Sequence, residues 1–165
     1  VSQRSIVTAL YHASKESENM NDILENTVFS SDIGTIGSLI TCTDTSSAKE
    51  AFELMAAYGI TSLPIMSGSS VLGVISATDI LYSRKNTNYL EENVIKYTEL
   101  SRIDAGISRD VSTVVSCAIN DKLTTVLHTM MHEKVHHIYV MEGSNLKGVI
   151  SFIDLLKFFS LYSSY

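Results

Sequence analysis

Apolar and polar positions in the first half of the chain follow two different spacings. Short apolar runs have the length of strands, whereas the apolar positions within 46–58 recur every three to four residues, as in an amphipathic helix. The segment Ser67-Gly68-Ser69-Ser70 has the composition of a hairpin turn. The pattern therefore predicts a β-α-β-β-α unit. Its elements are a strand at 38–43, a helix at 46–58, strands at 61–66 and 71–75, and a helix at about 77–84.

The same pattern occurs a second time, 75 residues further along the chain. Gly73-Val74-Ile75-Ser76 recurs as Gly148-Val149-Ile150-Ser151, and at the same spacing Asp79 matches Asp154. Two long copies are too few for a solenoid of repeats of about 20–50 residues. We therefore expect two units packed about a pseudo-twofold axis in an α/β (α+β) fold. The second copy is predicted to contain strands at 113–118, 136–141 and 146–150 and helices at 121–133 and 152–162.

Two segments of the chain lie outside the repeats. We expect residues 1–32 to be a helix, over 3–16, and a linker that remain from a preceding element. Residues 86–112 are polar and rich in Ser and Asp, and they are expected to connect the repeats through one helical piece near 91–100. The repeats themselves are predicted at 33–85 and 113–162.

Composition limits the functions that the chain can have. The formal net charge is −6, so no overall positive field attracts nucleic acid or an anionic membrane. Cys42 and Cys117 match each other in the repeat, which predicts equivalent strand positions instead of a disulfide and suits a reducing compartment. No apolar stretch reaches the length of a membrane span, and the start lacks both a signal-peptide pattern and an initiator Met. We therefore expect a piece of a longer protein of the cytoplasm or nucleus.

Each unit ends in a Gly-apolar-apolar-Ser-x-x-Asp motif, and on this motif the chain resembles the CBS domain, whose repeats occur in pairs called Bateman modules. The resemblance covers residues 33–162. More specifically, the chain is similar to the C-terminal half, repeats three and four, of the gamma subunits of AMP-activated protein kinase. The segments that carry this similarity are Ile33-Gly34-Thr35, Ile60-Thr61-Ser62-Leu63-Pro64, Val135-His136-His137 and Lys147-Gly148-Val149-Ile150-Ser151.

The resemblance implies no cofactor but an adenine nucleotide (AMP, ADP or ATP) as a regulatory ligand. Asp79 and Asp154 would each accept hydrogen bonds from the two hydroxyls of a ribose, and the negative charge strengthens such bonds. Phosphate would lie near Thr35, Thr61 and His136. The other implied contacts, to adenine and to the polar edges of the pockets, are Ile40, Ser62, Pro64, Ser76, Thr78, Val135, His137 and Ser151.

The same residues also have structural interpretations. Ser-x-x-Asp at a helix start is the pattern of a capping box, in which the acid stabilises the helix end, and the apolar positions are equally core positions. Two residues depart from the gamma-subunit pattern. His137 stands where Arg is usual, which puts phosphate binding at the Asp79 site in doubt, and Ile153 stands where Ser is frequent.

Histidines at 128, 132, 136 and 137 raise the hypothesis of a metal site. We do not favour it, because zinc needs three or four converging ligands and His136 is expected to start a strand that faces elsewhere. Neither a nucleophile–base constellation nor a P-loop occurs, so we do not expect an enzyme.

The preferred function is that of an adenine-nucleotide-binding, energy-sensing module in a kinase complex. The kinase catalytic and beta subunits would be its partners, and the repeat pair would also form a homodimer. The alternative is a non-catalytic interaction module with empty clefts, such as a scaffold that regulates a phosphatase or a kinase. A third possibility, an accessory domain of a metabolic enzyme or channel, fits the Ile-Gly-Thr segment poorly. Among the binding positions, we expect the one with Thr35, Thr61, His136 and Asp154 to bind best.

Overall fold

The computed structural model describes residues 5–6, 8–9, 11–12, 18–82, 87–108 and 110–162. It divides into two compact units. The central unit consists of the described residues of 40–114, and the outer unit consists of those of 1–39 together with 115–165. In chain order the elements are α1 (Glu18–Leu24), α2 (Val28–Ser31), β1 (Thr35–Ile36), β2 (Cys42–Thr43), α3 (Ala48–Tyr58), β3 (Ser62–Ser67), β4 (Ser70–Ser76), α4 (Asp79–Tyr82), a 3-10 helix (Thr87–Glu91), α5 (Val94–Asp104), β5 (Ser116–Ala118), α6 (Leu123–His132), β6 (His137–Glu142), β7 (Asn145–Ser151) and α7 (Phe152–Tyr162).

The central unit is built on a sheet of order β2-β3-β4, in which β2 runs parallel to β3 and β3 pairs antiparallel with β4. Helix α3 begins at a capping box: Ser47 accepts from the Glu50 backbone N–H, and the Glu50 carboxylate accepts from the Ser47 N–H. It ends at Gly59, whose φ of 63° lies in the left-handed region. The core between the sheet and helices α3 and α5 contains Ala51, Met55, Leu63, Ile65, Ile75, Val94 and Tyr97.

The outer unit repeats this arrangement with an additional edge strand. Its sheet has the order β1-β7-β6-β5, with β5 parallel to β6 and the other neighbours antiparallel. Helix α6 and the longer helix α7 cover it. Helix α7 runs for 11 residues. Its core includes Leu123, Leu127, Met130, Ile138, Ile150, Phe152, Leu155 and Phe159.

Each unit combines one repeat with a segment that precedes the other repeat. The second repeat is joined by the segment before the first repeat, and the first repeat is joined by the connector before the second. In the outer unit the N–H of Val28 donates to the carbonyl of Asp121 at 2.9 Å. In the central unit the N–H of Val94 donates to the carbonyl of Ser46, also at 2.9 Å. Ser46 and Asp121 are 75 residues apart, but Val28 and Val94 are only 66 apart. The two docked segments therefore follow a second spacing, which the sequence analysis did not find.

The glycine of the repeated motif is required by this docked chain. A Cβ atom on Gly148 would lie 2.8 Å from the carbonyl oxygen of Thr35, and one on Gly73 would lie 2.7 Å from the carbonyl oxygen of Val111. Only glycine allows backbone to approach backbone so closely. The glycine of Gly-Val-Ile-Ser thus marks the place on β4 and on β7 where the backbone of a docked segment passes closest, Val111 on β4 and Thr35 on β7.

The mixed α/β class and the β-α-β-β-α order of both repeats are confirmed. The predicted strands at 38–43 and 113–118 are shorter in the structure, as β2 and β5, because only these residues pair with a neighbour. The helix predicted over 3–16 is seen at 5–6, 8–9 and 11–12, and its other residues lie outside the described part of the chain, as do 83–84 of the helix predicted at 77–84. The predicted helical piece near 91–100 is α5, whereas α1, α2 and β1 were not predicted.

Cys42 and Cys117 are buried, free thiols at equivalent positions of β2 and β5, as predicted. Burial raises the pKa of Cys42 to about 11 and that of Cys117 to about 12. Both thiols are therefore protonated and unreactive at neutral pH.

Candidate functional site

The two Ser-x-x-Asp turns join a strand to a helix in each unit. At the end of β7, the N–H and the hydroxyl of Ser151 donate to Asp154 Oδ2 at 2.8 and 2.7 Å, and the Asp154 N–H donates to Ser151 Oγ at 3.2 Å. At the end of β4, the N–H and the hydroxyl of Ser76 donate to Asp79 Oδ2 at 2.7 and 2.9 Å. Ser151 and Asp154 therefore form the predicted capping box, whereas among the described residues the Asp79 turn shows only the bonds from Ser76 to the carboxylate. Each Asp has a second oxygen, Oδ1, that these bonds leave available.

The two Oδ1 atoms have different surroundings. Asp79 is buried, and its Oδ1 accepts from Nε of Arg102 at 3.3 Å. Asp154 is only half-buried, and its Oδ1 accepts no hydrogen bond from any described residue. Of the two carboxylates, Asp154 is thus the one whose Oδ1 is left available to ligand hydroxyls by the described residues.

The start of β3 in the central unit, and of β6 in the outer unit, lies beside the Ser-x-x-Asp turn of the same unit. The Ala77 N–H donates to the Thr61 carbonyl at 2.9 Å, and at the matching position the Phe152 N–H donates to the His136 carbonyl at 3.1 Å. In register, Ser62 pairs with Ser76 in the central unit. His137 pairs with Ser151 in the outer unit. Each unit therefore brings two predicted ligand contacts from one strand next to the Ser-x-x-Asp turn of its own repeat.

His136 and His137 differ in their exposure. His136 is exposed, and its ring packs edge-to-face on Phe152 with 5.6 Å between ring centroids. His137 is half-buried, and burial, reinforced by the neighbouring His136, lowers its pKa to about 4, although the Asp154 carboxylate acts in the opposite direction. His137 is therefore neutral at pH 7. It offers a hydrogen bond to a phosphate but not the permanent charge that an Arg would supply.

The other predicted contacts are distributed over the two units. In the outer unit Thr35 is exposed on β1, in register with Val149, and Val135 packs against the core. In the central unit Pro64 is buried within β3, and Ile40 packs against that core. The Thr78 hydroxyl donates to the Ser76 hydroxyl at 2.7 Å, because the proton of the Ser76 hydroxyl goes to Asp79. The outer unit holds Thr35, Val135, His136, His137, Ser151 and Asp154, and the central unit holds Ile40, Thr61, Ser62, Pro64, Ser76, Thr78 and Asp79.

Arg102 is the residue at these turns that the sequence analysis missed. It belongs to the last turn of α5, 23 residues after Asp79, and is separated from it by the polar connector. The only signal in the sequence is a basic side chain near the end of a predicted helix, a pattern that ordinarily indicates an interaction with the helix dipole. Nothing in that pattern points to Asp79.

The histidines do not converge on a metal within the described part of the chain, where no group of three or more metal-binding side chains occurs. His128 and His132 stack on the exposed side of α6 with ring centroids 6.2 Å apart, and His132 Nδ1 lies 3.0 Å from Glu133. Among the described residues, no helix has the length and apolar character needed to cross a membrane.

The model of the CBS domain family matches residues 31–86 and 107–161, and these two matches cover both Ser-x-x-Asp turns. The chain belongs to the CBS-domain family. Both predicted repeats are thereby confirmed as a tandem pair of a family of regulatory modules.

The predicted similarity to gamma subunits is also found. The gamma subunit of 5'-AMP-activated protein kinase from Kluyveromyces lactis is 28% identical over 130 residues, which are 77% of this chain and 38% of that protein. A crystal structure of a Methanocaldococcus jannaschii protein, described as an archaeal homolog of the gamma subunit, superposes with a TM-score of 0.68 at 21% identity. The match covers 96% of this chain and 54% of that one. The chain thus spans 38% and 54% of the lengths of these relatives.

A third similarity concerns a CBS domain pair crystallised with 5'-methylthioadenosine and S-adenosyl-L-methionine. It superposes with a TM-score of 0.65 at 18% identity, over 83% of this chain and 98% of that one. At this identity the likeness shows the fold.

Proposed function

We propose that this CBS pair is the nucleotide-sensing module of a kinase gamma subunit, which binds AMP, ADP or ATP and changes the activity of the complex. The observation that carries the proposal is the free Oδ1 of Asp154. A half-buried carboxylate with one oxygen held by Ser151, and the other not bonded by any described residue, suits the adjacent hydroxyls of a ribose. The names of the curated relatives and the adenosine ligands of the third similar structure support the same ligand class.

The proposed nucleotide contacts come from residues of the outer unit, which contains Asp154. Asp154 would bind the ribose, and the hydroxyl of Ser151 would keep the carboxylate in place. The exposed Thr35 hydroxyl and the exposed His136 ring would donate to phosphate, and a neutral His137 would add one further donor. No fixed cation is included in this set, so we expect modest affinity with little dependence on the number of phosphates.

Isothermal titration calorimetry with AMP, ADP and ATP tests the proposal on the 165-residue chain. Asp154→Asn retains the size of the side chain and removes its charge, so it should weaken binding at least tenfold. Asp121→Asn is the matched control, because Asp121 also caps a turn of the same unit, through a 2.8 Å bond from the Ala118 N–H. If none of the three nucleotides binds at millimolar concentration, the proposed function is wrong.

The proposed partners are the catalytic and beta subunits of the kinase, in the cytoplasm or nucleus. Coexpression of the chain with candidate subunits and co-purification test this assignment directly. Recovery of a phosphatase in place of a kinase would support the alternative, a non-catalytic interaction module. The neutral state of His137 is the observation that favours this alternative, because it removes positive charge from the phosphate position.

A homodimer of the chain is the last part of the proposal. The central unit has an apolar cleft of about 430 Å³, with Phe52, Met55, Ile60, Ala77 and Ile80 among the residues that line it. Ile80 is 43% exposed, and the adjacent Leu81 is 48% exposed, so the cleft and its neighbourhood form an apolar surface. In the isolated chain we propose that a second copy covers this face. Light scattering should give a dimer mass for the wild type and a monomer mass for Ile80→Glu.

A further inference from the structure

Arg102 closes the Ser-x-x-Asp turn of the central unit from within the same unit. Its Nε donates to Asp79 Oδ1 at 3.3 Å, and the exposed fractions of the Arg102 and Asp79 side chains are 11% and 3%. Since Ser76 already holds Oδ2 through two hydrogen bonds, both oxygens of this carboxylate are engaged. The Asp79 backbone is held as well, because the Tyr97 hydroxyl donates to its carbonyl at 3.4 Å.

The other two guanidinium nitrogens of Arg102 bind backbone carbonyls of strand β4 and of the linker segment that passes against it. Nη2 donates to the carbonyl of Val74 at 2.9 Å, and Nη1 donates to the carbonyl of Asp110 at 3.1 Å. Asp110 directly precedes Val111, the residue whose backbone passes against Gly73. One guanidinium therefore ties together the Ser-x-x-Asp turn, strand β4 and the crossing linker.

The outer unit holds its docked chain against the sheet in a different way. There Val149, which matches Val74, pairs in register with Thr35 of β1. The crossing chain forms a strand in this unit, and no side chain is needed to hold it. Asp154, which matches Asp79, consequently keeps Oδ1 without a hydrogen bond from the described residues.

We propose that Arg102 is a built-in occupant of the Asp79 turn, so that Asp79 anchors the central unit and only the Asp154 turn takes a ribose. A ligand at Asp79 would have to displace a guanidinium that is bonded to three segments, and a neutral hydroxyl pair offers a weaker bond to carboxylate than the charged donor does. The second half of this proposal, ligand uptake at Asp154, rests on the proposed function. The first half, the anchor, does not.

A double-mutant cycle without nucleotide tests the anchor. Breaking a buried ion pair from one side leaves an unpaired charge, so Arg102→Met should raise the unfolding equilibrium constant about 100-fold or more in urea titrations. Asp79→Asn should also destabilise the chain, and the double variant should lose much less than the product of the two single effects. Lys96→Met is the matched control on the same helix, because its ion pair with Glu92 is exposed and its removal should change stability little. Equal effects of Arg102→Met and Lys96→Met would overturn the anchor.

Calorimetric stoichiometry tests the selectivity. The wild-type chain should bind one nucleotide, Asp154→Asn should remove it, and Asp79→Asn should retain one nucleotide per folded chain at a temperature where the variant is folded. Loss of a nucleotide in Asp79→Asn contradicts the proposal. If the wild type binds no nucleotide, the proposed function fails and the selectivity with it, whereas the coupling between Arg102 and Asp79 still decides whether the anchor is correct.

Discussion

At the scale of single residues, the second repeat has a half-buried, neutral imidazole where the gamma-subunit pattern has a charged side chain. His137 stands where the gamma-subunit pattern has Arg, and its pKa is lowered to about 4. Desolvation outweighs the attraction of Asp154, because a half-buried imidazole loses hydration when it becomes charged. The neutral ring is therefore the stable form in the folded chain at pH 7, and it makes folding itself sensitive to acid.

The first prediction is that the chain loses stability as pH falls from 7 to 5. The pKa of His137 is about 4 in the folded chain and about 6.5 in an unfolded one, so between these values the unfolded chain binds a proton that the folded chain does not. The free energy of unfolding should fall by about 2 kcal/mol over this interval. Urea unfolding at both pH values measures it. In His137→Gln the loss should be smaller, and an equal loss would assign the pH dependence to other groups, such as His136.

The second prediction concerns the residue of positive φ that comes after helix α3 in the first repeat and after helix α6 in the second. Gly59 after α3 and Lys134 after α6 match each other and have φ values of 63° and 55°. This left-handed conformation is costly for a residue with a Cβ atom. Lys134→Gly should therefore stabilise the chain by about 0.5–1 kcal/mol, whereas Gly59→Ala should destabilise it by about 1 kcal/mol. Chemical denaturation of both variants checks the pair, and a loss of stability in Lys134→Gly would contradict it.

At the scale of elements, equivalent helices of the two repeats bury different amounts of apolar surface. Helix α7 begins with Phe152, which is 1% exposed, whereas the matching residue in the central unit is Ala77, which lines the apolar cleft. Leu155 is fully buried, but the matching Ile80 is 43% exposed. The cleft is thus lined by a small residue at the position where the other repeat has a buried phenyl ring.

The third prediction follows from this difference. Phe152→Ala should create a cavity in the outer core and destabilise the chain by about 3–5 kcal/mol. Ala77→Phe should be tolerated, because the added ring can enter a cleft that is already present, and it should reduce the homodimer if the cleft is part of its interface. Thermal melting and light scattering measure both effects. A strong destabilisation by Ala77→Phe would show that the cleft closes in solution.

At the scale of the whole molecule, the sequence predicted what is local and periodic. The repeat spacing, the helices α3 and α6 and the hairpins β3–β4 and β6–β7 follow from apolar periodicity and turn residues. The candidate turn of Asp154 followed from the motif, and its capping role from the Ser-x-x-Asp spacing. Arg102 and the docked linkers could not be predicted, because they bring together residues far apart in the chain and leave no periodic pattern.

Because of the docked linkers, the chain cannot be cut between the two repeats without separating at least the second repeat from part of its core. The segment before the first repeat contributes Ile23, Leu24 and Val28 to the core of the second repeat, and Ile33, at the start of the first repeat, joins them. The connector contributes Val94, Tyr97 and Val111 to the core of the first. If the chain is cut between the two repeats, the fragment with the second repeat therefore loses the core residues that come from the N-terminal segment. Residues 1–32, expected to be left over from a preceding element, supply part of the outer core.

The fourth prediction is that fragment 86–165 will not fold cooperatively by itself, whereas fragment 18–162 will. The shorter fragment retains the second repeat but lacks the four buried side chains from residues 18–33, each of which removes about 1.5–3 kcal/mol of burial energy. The sum, about 6–12 kcal/mol, is as large as the whole stability of a typical domain, about 5–15 kcal/mol. Near-ultraviolet circular dichroism and thermal melting distinguish the two fragments. Addition of a peptide of residues 18–36 should restore a melting transition to fragment 86–165, because the peptide carries both the missing core residues and strand β1. A sharp melting transition in fragment 86–165 without the peptide would mean that the second repeat folds independently and that its folding does not require the docked segment.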